Sequence, residues 1–189
     1  MAYIFRGIHL NRAIVLKHYN WIALVIVAAI CVTGSRLMAA APAVANEALV
    51  SKPFYHDSLK KVEASYFGEA FLLSVWSQEC GPCMKELAIL AGLKDEYPKL
   101  NLVLISTDSI DNTGDNDTLL AELGHSNTVD SWIYASDQPE RLRYSIDKNW
   151  FGEMPRSYFY DDQGARRAVS GLLSEATLRS WIVTSLKPK

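Results

Sequence analysis

The stretch AFLLSVWSQECGPCMKEL, residues 70–87, holds both cysteines that lie outside the first 45 residues, Cys80 and Cys83. Its apolar start is typical of a buried strand. Behind the cysteines, apolar residues recur at helical spacing until Tyr97 and Pro98 end the pattern. The sequence therefore predicts a strand that runs directly into a helix, with the cysteine pair at the junction.

The rest of the chain alternates helical and strand patterns in the same way. We predict helices over residues 58–67, 117–124, 140–147 and 174–186, strands over 101–107 and 131–136, and a hairpin over 156–169. Asp117 and Ser174 are the predicted N-caps of their helices, and Gly124 is the predicted end of the first of these. This order predicts an α/β fold with a central mixed β-sheet flanked by helices on both faces, the hairpin adding antiparallel strands at one side.

The first 45 residues are typical of a secretory leader. They contain four basic residues and no acidic residue, and the order is a basic start, the apolar run WIALVIVAAICV, then APAVA. An apolar core of about 13 residues is short for a bilayer, which favours a cleaved signal peptide with its junction at Ala45 and Asn46. An uncleaved N-terminal membrane anchor is the alternative. The predicted folded domain is residues 46–189.

The charge of this predicted domain excludes one class of partner. Removal of the leader leaves 15 basic and 21 acidic residues, a formal charge of −6. Nucleic-acid binding depends on clustered lysine and arginine, so we expect no nucleic-acid partner. The balance suits a protein that stays soluble in an extracytoplasmic space, the periplasm in particular.

The spacing of the cysteines predicts redox chemistry. Cys80 would lie at a helix N-terminus, where unpaired N–H groups and the helix dipole stabilise a thiolate. Pro82 fits the first helical turn, and Cys83 would lie one turn behind, close enough for a disulfide but less exposed. One exposed thiol and one hidden partner suit thiol–disulfide exchange, in which Cys80 attacks and Cys83 resolves.

Other roles for the pair are weaker. A structural disulfide across so short a loop would remove little entropy from the unfolded chain. A zinc site would need two more ligands, and His56 and His125 are the histidines available in the predicted domain. A copper site is conceivable, but no well-spaced third ligand follows the cysteines. We therefore expect no bound metal and no resident cofactor.

Together, VWSQECGPCMKEL and the later FGEMPRSYFYDDQG, residues 151–164, resemble the thioredoxin-like superfamily, most closely its exported TlpA/ResA-type thiol–disulfide oxidoreductases. The resemblance covers roughly residues 54–186 and implies the thioredoxin-like fold. It implies that Pro155 is a cis-proline facing the cysteines. The backbone of Met154 would then pair with a bound substrate strand.

The resemblance also implies roles around the cysteines. Glu86 corresponds to an acid that assists proton transfer at the buried thiol, although a solvated helix charge is the simpler interpretation. Trp76 would form a wall of the site or a core aromatic. Ser74 stands where cytoplasmic thioredoxins carry a buried aspartate. Glu79 departs from the tryptophan of many relatives, and its carboxylate would oppose thiolate formation and bias substrate choice.

Two further predictions complete the candidate substrate surface. Gly81 and Pro82, between the cysteines, would contact a bound substrate together with Trp76, Glu79, Met154 and Pro155. Trp150 and Phe151 would form an apolar rim before Pro155, or else pack in the core.

These features predict an exported protein disulfide reductase, and the resemblance implies a function in cytochrome c biogenesis. By the resemblance, its substrates would be periplasmic proteins such as apo-cytochrome c or proteins with copper-site cysteines, and a membrane electron donor of the DsbD/CcdA kind would recharge it. A disulfide oxidant or isomerase is the alternative within the enzyme class. A copper metallochaperone using the same two cysteines is the alternative outside it.

Overall fold

The computed structural model describes residues 48–186, and the predicted leader and its junction lie outside them. Within this range the strands are β1 (Lys52–Phe54), β2 (Phe71–Trp76), β3 (Asn101–Ser109), β4 (Asp130–Tyr134), β5 (Arg156–Tyr160) and β6 (Arg166–Ser170). The helices are α1 (Ser58–Ser65), α2 (Gly81–Glu96), α3 (Thr113–Glu122), α4 (Pro139–Ile146) and α5 (Glu175–Ser185). A single 3₁₀ turn, Ile110–Asn112, precedes α3.

The six strands form one mixed sheet in the order β1-β4-β3-β2-β5-β6. The first four strands are parallel, whereas β5 runs antiparallel to β2 and β6 antiparallel to β5. This arrangement confirms the predicted parallel sheet with an antiparallel hairpin at one side. The sequence analysis missed β1, because three residues with exposed Lys52 and Pro53 carry no strand pattern.

Helices cover both faces of the sheet, as predicted. One apolar layer packs α2, α3 and α5 against the sheet, and a second layer packs α1 and α4 against the opposite face. All six residues of β2 are buried, since this central strand has helices on both sides. Packing on both faces therefore holds the end of β2 in place, and this positions the loop that carries the cysteines.

Helix boundaries agree with the sequence in two places and differ in one. Ser174 caps α5, its side chain accepting the backbone N–H of Thr177, and Gly124 follows the end of α3 with φ +93°. The predicted start of α3 was wrong. The helix begins four residues earlier, after Asn112, and the carboxylate of Asp117 accepts the backbone N–H and the hydroxyl of Ser51 instead of capping.

Within residues 48–186, no helix has both the length and the apolar character needed to cross a bilayer.

Candidate active site

The cysteine pair lies where β2 passes into α2. Cys80 is the N-cap of α2, Pro82 is in the first turn, and Cys83 is one turn into the helix. The two sulfurs form a disulfide, with the Cα atoms 5.2 Å apart. Cys83 is fully buried and Cys80 is partly exposed. An attacking thiol could therefore reach Cys80 more easily than Cys83.

A carboxylate at the end of β3 holds the loop before Cys80. Asp108 Oδ2 accepts the backbone N–H of Gln78 at 2.9 Å and the hydroxyl of Ser106 at 2.7 Å. The Gln78 side chain reaches Asn116 of α3 at 3.4 Å. The sequence analysis missed Asp108. The available signal was its position at the carboxyl end of β3, since the ends of neighbouring parallel strands meet at one sheet edge.

The peptide bond between Met154 and Pro155 is cis, as the family resemblance implied. Pro155 is buried, and its carbonyl accepts the backbone N–H of Gly171 at 2.8 Å. Met154 packs against the apolar cluster that contains Cys83 and Trp76. The hydroxyl of Thr107 lies 3.3 Å from the carbonyl of Trp76 and 3.7 Å from the sulfur of Met154. The structure thus brings the segment before β5 next to the cysteine junction.

Glu86 is fully buried, so its interpretation as a solvated helix charge is wrong. Its Oε1 accepts the hydroxyls of Ser74 at 3.0 Å and Ser157 at 2.7 Å. Its Oε2 accepts the backbone N–H of Leu173 at 2.9 Å. Three donors from three segments offset the cost of placing a carboxyl group in the core. The sequence analysis named Ser74 but missed Ser157 and Leu173.

The other predicted substrate-contact residues divide by exposure. Glu79, Gly81 and Pro82 are exposed around Cys80. Trp76 is fully buried in the same apolar cluster as Cys83, and its indole N–H has no partner within residues 48–186. Trp76 is thus a core aromatic in the apolar cluster that also contains the buried cysteine.

Of the two aromatic residues predicted to form an apolar rim, one is buried and one is exposed. Trp150 is 1% exposed, and its indole N–H donates to the carbonyl of Glu153 at 2.8 Å, so it belongs to the core. Phe151 is 86% exposed. A side chain of this size in solvent, three residues before Met154, is available to an apolar partner.

The described part of the chain contains no group of three or more histidine, cysteine, aspartate or glutamate residues that could hold a metal ion. His125 is buried, and its Nε2 lies 3.0 Å from the carbonyl of Leu87. Burial lowers the pKa of His125 to about 4, so the imidazole is neutral near pH 7. His125 therefore has a structural role, in which its imidazole hydrogen-bonds to a backbone carbonyl of α2.

The arrangement is suited to the exchange of two electrons between a dithiol and a disulfide. The partly exposed sulfur lies at a helix N-terminus, the second sulfur is bonded to it and buried, and a buried carboxyl group lies one turn further along the helix.

No protein-family model matches the sequence, and no curated protein matches it. Solved structures do match. A thiol:disulfide interchange protein of the thioredoxin family from Chlorobium tepidum TLS gives a TM-score of 0.53 at 16% sequence identity, covering 66% of this chain and 85% of that chain. A thiol-disulfide isomerase from Corynebacterium glutamicum gives 0.53 at 14% identity, covering 76% of this chain and 96% of that chain.

A third structure, MTB DsbF in mixed oxidized and reduced forms, gives a TM-score of 0.50 at 16% identity, with 64% of this chain and 83% of that chain covered. At such identities a structural likeness establishes the fold and leaves activity to be tested. The described domain has the thioredoxin-like fold.

Proposed function

We propose that this protein is an exported thiol–disulfide oxidoreductase that reduces disulfides in protein substrates. The observation that carries the proposal is the Cys80–Cys83 disulfide at the N-terminus of α2, with one sulfur partly exposed and the other buried. The names of the structures from Chlorobium tepidum and Corynebacterium glutamicum describe thiol–disulfide exchange, which supports the same chemistry for this chain.

The reaction transfers two electrons from the reduced protein to the substrate. The Cys80 thiolate attacks a substrate disulfide, forms a mixed disulfide and displaces one substrate thiolate. The Cys83 thiolate then attacks the Cys80 sulfur, forms the Cys80–Cys83 disulfide and releases the second substrate thiolate. The substrate disulfide is reduced and the cysteine pair is oxidised, so a donor must reduce the pair again before the next cycle.

Substrate contacts would come from the residues around Cys80. The backbone of Met154 would pair with an extended substrate segment, with Pro155 holding that backbone in position. Gly81 and Pro82 would face the same segment. Glu79 would disfavour acidic substrates next to the scissile disulfide and favour basic ones. Trp76 would support the site from the core side.

Glu86 would exchange a proton with the Cys83 thiol. Both side chains are fully buried and lie three residues apart on α2, which places them on neighbouring positions of one helix face. A thiol in an apolar layer cannot release its proton to bulk water directly. A carboxyl group in the same layer is therefore the suitable partner.

The cellular setting follows from the leader and from the family resemblance. Export through the residue 1–45 segment would place the domain in the periplasm, either free after cleavage or tethered to the inner membrane. There its substrates would be apo-cytochrome c or proteins with copper-site cysteines, and a membrane donor of the DsbD/CcdA kind would supply the electrons.

Reduction of insulin disulfides tests the activity. The assay uses the full chain with Cys31→Ser, so that Cys80 and Cys83 are its remaining cysteines. We expect insulin reduction with dithiothreitol as donor, its loss with Cys80→Ser, and an accumulated mixed disulfide with Cys83→Ser. Normal turnover by Cys83→Ser would contradict the assigned roles. The metallochaperone would be favoured by a different result. The protein would then be inactive on insulin and bind one copper ion per chain, and either cysteine variant would lose the copper.

A further inference from the structure

Two serines that belong to different strands donate hydrogen bonds to the buried Glu86. Ser74 of β2 and Ser157 of β5 are direct cross-strand partners in the antiparallel register, and both are buried. Leu72 and Trp76, on the same face of β2 as Ser74, lie in the apolar layer that contains Cys83 and Leu87. The two hydroxyls therefore face α2, on the side of the sheet where Cys83 and Glu86 lie.

Both serine hydroxyls donate to the same oxygen of Glu86. Oε1 accepts Ser74 at 3.0 Å and Ser157 at 2.7 Å, whereas Oε2 accepts one donor, the backbone N–H of Leu173 at 2.9 Å. A carboxylate has about four acceptor positions on its two oxygens. The serines fill those of Oε1 and leave one on Oε2, where a proton can be accepted.

The position of this cluster along the strands relates it to the cysteines. Trp76 follows Ser74 by two residues toward the cysteine junction, and Pro155 precedes Ser157 by two residues. Cys83 precedes Glu86 by three residues on α2. On both strands and on α2, therefore, the Glu86 cluster lies at the next position on the same face as the residues of the redox site.

We infer that Ser74 and Ser157 are positioning residues that hold the carboxyl group of Glu86 in place to take the thiol proton of Cys83 when that cysteine resolves the mixed disulfide. The inference rests on the proposed function, since it requires Cys83 to be the resolving thiol. In this step the S–H proton moves to Glu86, the Cys83 sulfur bonds to the Cys80 sulfur, and the bond between Cys80 and the substrate sulfur breaks. The substrate leaves as a thiolate, and Glu86 returns its proton to Cys83 when the disulfide is next reduced.

The charged groups on the elements packed around Glu86 have other partners or lie in solvent. They are Asp108 of β3 on Gln78, Asp117 of α3 on Ser51, His125 on Leu87, Arg156 of β5 on Asp147, Arg167 of β6 over Phe159, and Arg179 of α5 on Glu96 and Glu175. None of them donates a hydrogen bond to Glu86. Of the two other buried titratable side chains that the structure describes on this side of the sheet, His125 bonds to the carbonyl of Leu87, whereas Cys83 lies three residues before Glu86 on α2.

A purely structural brace would use the same hydrogen bonds, so the test must separate the two roles. A brace would affect stability alone. A positioning role would also affect the pH dependence of the attack by Cys83, because each serine removed takes a hydrogen-bond donor from the group that accepts the thiol proton. The decisive readout is therefore the pH dependence of the resolving step.

The probe is 5,5′-dithiobis(2-nitrobenzoate), mixed in stopped flow with the reduced full chain carrying Cys31→Ser. The first coloured thiolate reports attack by Cys80, and the second reports resolution by Cys83. With Cys83→Ser the second phase must vanish, which validates its assignment. The variants are Ser157→Ala and Ser74→Ala, with Ser157→Thr keeping the hydroxyl. Ser131→Ala is the matched control, since that buried serine bonds to Ser51 and not to Glu86.

We expect the acid limb of the second phase to lie at higher pH for each alanine variant than for the parent protein, because the group that takes the thiol proton has lost one hydrogen-bond donor. Ser157→Thr and Ser131→Ala should keep the limb of the parent protein. Glu86→Gln should slow the second phase by about a hundredfold and remove the limb, as for loss of a general base. The first phase should stay unchanged throughout.

An unchanged acid limb in a folded Ser157→Ala or Ser74→Ala protein would overturn the inference and leave the serines as a brace. If Ser157→Ala fails to fold, Ser74→Ala gives the same decision. The insulin assay separates this result from the proposed function. Loss of insulin reduction with a normal limb shift rejects the substrate class and supports the serine role, whereas normal insulin reduction with no shift rejects the serine role.

Discussion

Two regions lie on either side of the Cys80–Cys83 disulfide, and they differ in exposure. The lip, residues 79–82, is exposed or partly exposed and has Glu79 as its charged group. The floor consists of Cys83, Glu86, Ser74 and Ser157, all of them buried. Glu79 and Glu86 are seven residues apart, yet one carboxylate is solvated and the other accepts three hydrogen bonds in the core.

This difference shows how one helix start can serve two steps of a reaction. The N-cap position keeps the Cys80 sulfur at the surface, where a protein substrate can reach it. The periodicity of 3.6 residues per turn then places Cys83 and Glu86 on the face that packs against the sheet. Under the proposed function, attack by Cys80 at the surface and proton transfer from Cys83 in the core are thus separated by a single helical turn.

The largest effect is expected at a second division between a buried and an exposed residue, the adjacent pair Trp150 and Phe151. Trp150 is buried and Phe151 is 86% exposed. Trp150→Ala should lower the free energy of unfolding by about 3–5 kcal/mol because it leaves a cavity, whereas Phe151→Ala should change it by less than about 0.5 kcal/mol. Urea unfolding followed by circular dichroism measures both. Equal losses for the two variants would contradict the division.

The two carboxylates give the next largest contrast. Glu86→Ala should lower the free energy of unfolding by about 2–4 kcal/mol, since the hydroxyls of Ser74 and Ser157 and the N–H of Leu173 lose their acceptor in the core. Glu79→Ala is the matched control and should stay within about 0.5 kcal/mol of the parent protein. The same urea titration measures both variants. If Glu86→Ala unfolds with the free energy of the parent protein, the buried carboxyl group does not stabilise the fold.

A smaller effect is expected from His125, which is buried with its Nε2 3.0 Å from the carbonyl of Leu87 on α2. Burial lowers the pKa of His125 from 6.5 to about 4, so the unfolded chain binds a proton more tightly than the folded one. Its contribution to stability is complete above pH 6.5 and is lost as the pH falls toward 4. Between pH 7 and pH 5 the loss should be about 2 kcal/mol.

The control for this pH dependence is His125→Gln, which keeps a donor for the carbonyl of Leu87 but does not titrate. The unfolding free energy of the parent minus that of the variant should decrease by that amount as the pH falls from 7 to 5. Comparing the two proteins cancels carboxylates such as Asp147, whose pKa is also lowered. A difference that does not change with pH would show that His125 is not buried in its neutral form.

The sequence was sufficient for most of the fold. The buried runs of β2 and β3 and the caps at Ser174 and Gly124 are local signals, and the structure confirms them. Local signals failed at β1, where three residues pair only because β4 is alongside. They also failed at Asp117, because its side chain binds Ser51, which is 66 residues away in the chain.

The candidate site was predictable where its residues are contiguous and not where the sheet assembles them. Cys80 and Cys83 are recognisable from their spacing alone. The cis bond before Pro155 came from the family resemblance, since a sequence by itself does not specify a peptide isomer. Ser157 and Leu173 reach Glu86 from 71 and 87 residues away, through the register of β5 and the turn after β6.

The measurement that tests the central claim most directly is the reduction potential of the Cys80–Cys83 pair. The full chain with Cys31→Ser would be equilibrated in glutathione and dithiothreitol redox buffers, and its reduced fraction measured by alkylation and mass. If the protein is a disulfide reductase, we expect the reduction potential to lie near that of thioredoxin, about −270 mV. A potential near the oxidising end, about −120 mV, would contradict the reductase assignment and identify a disulfide donor or isomerase on the same fold.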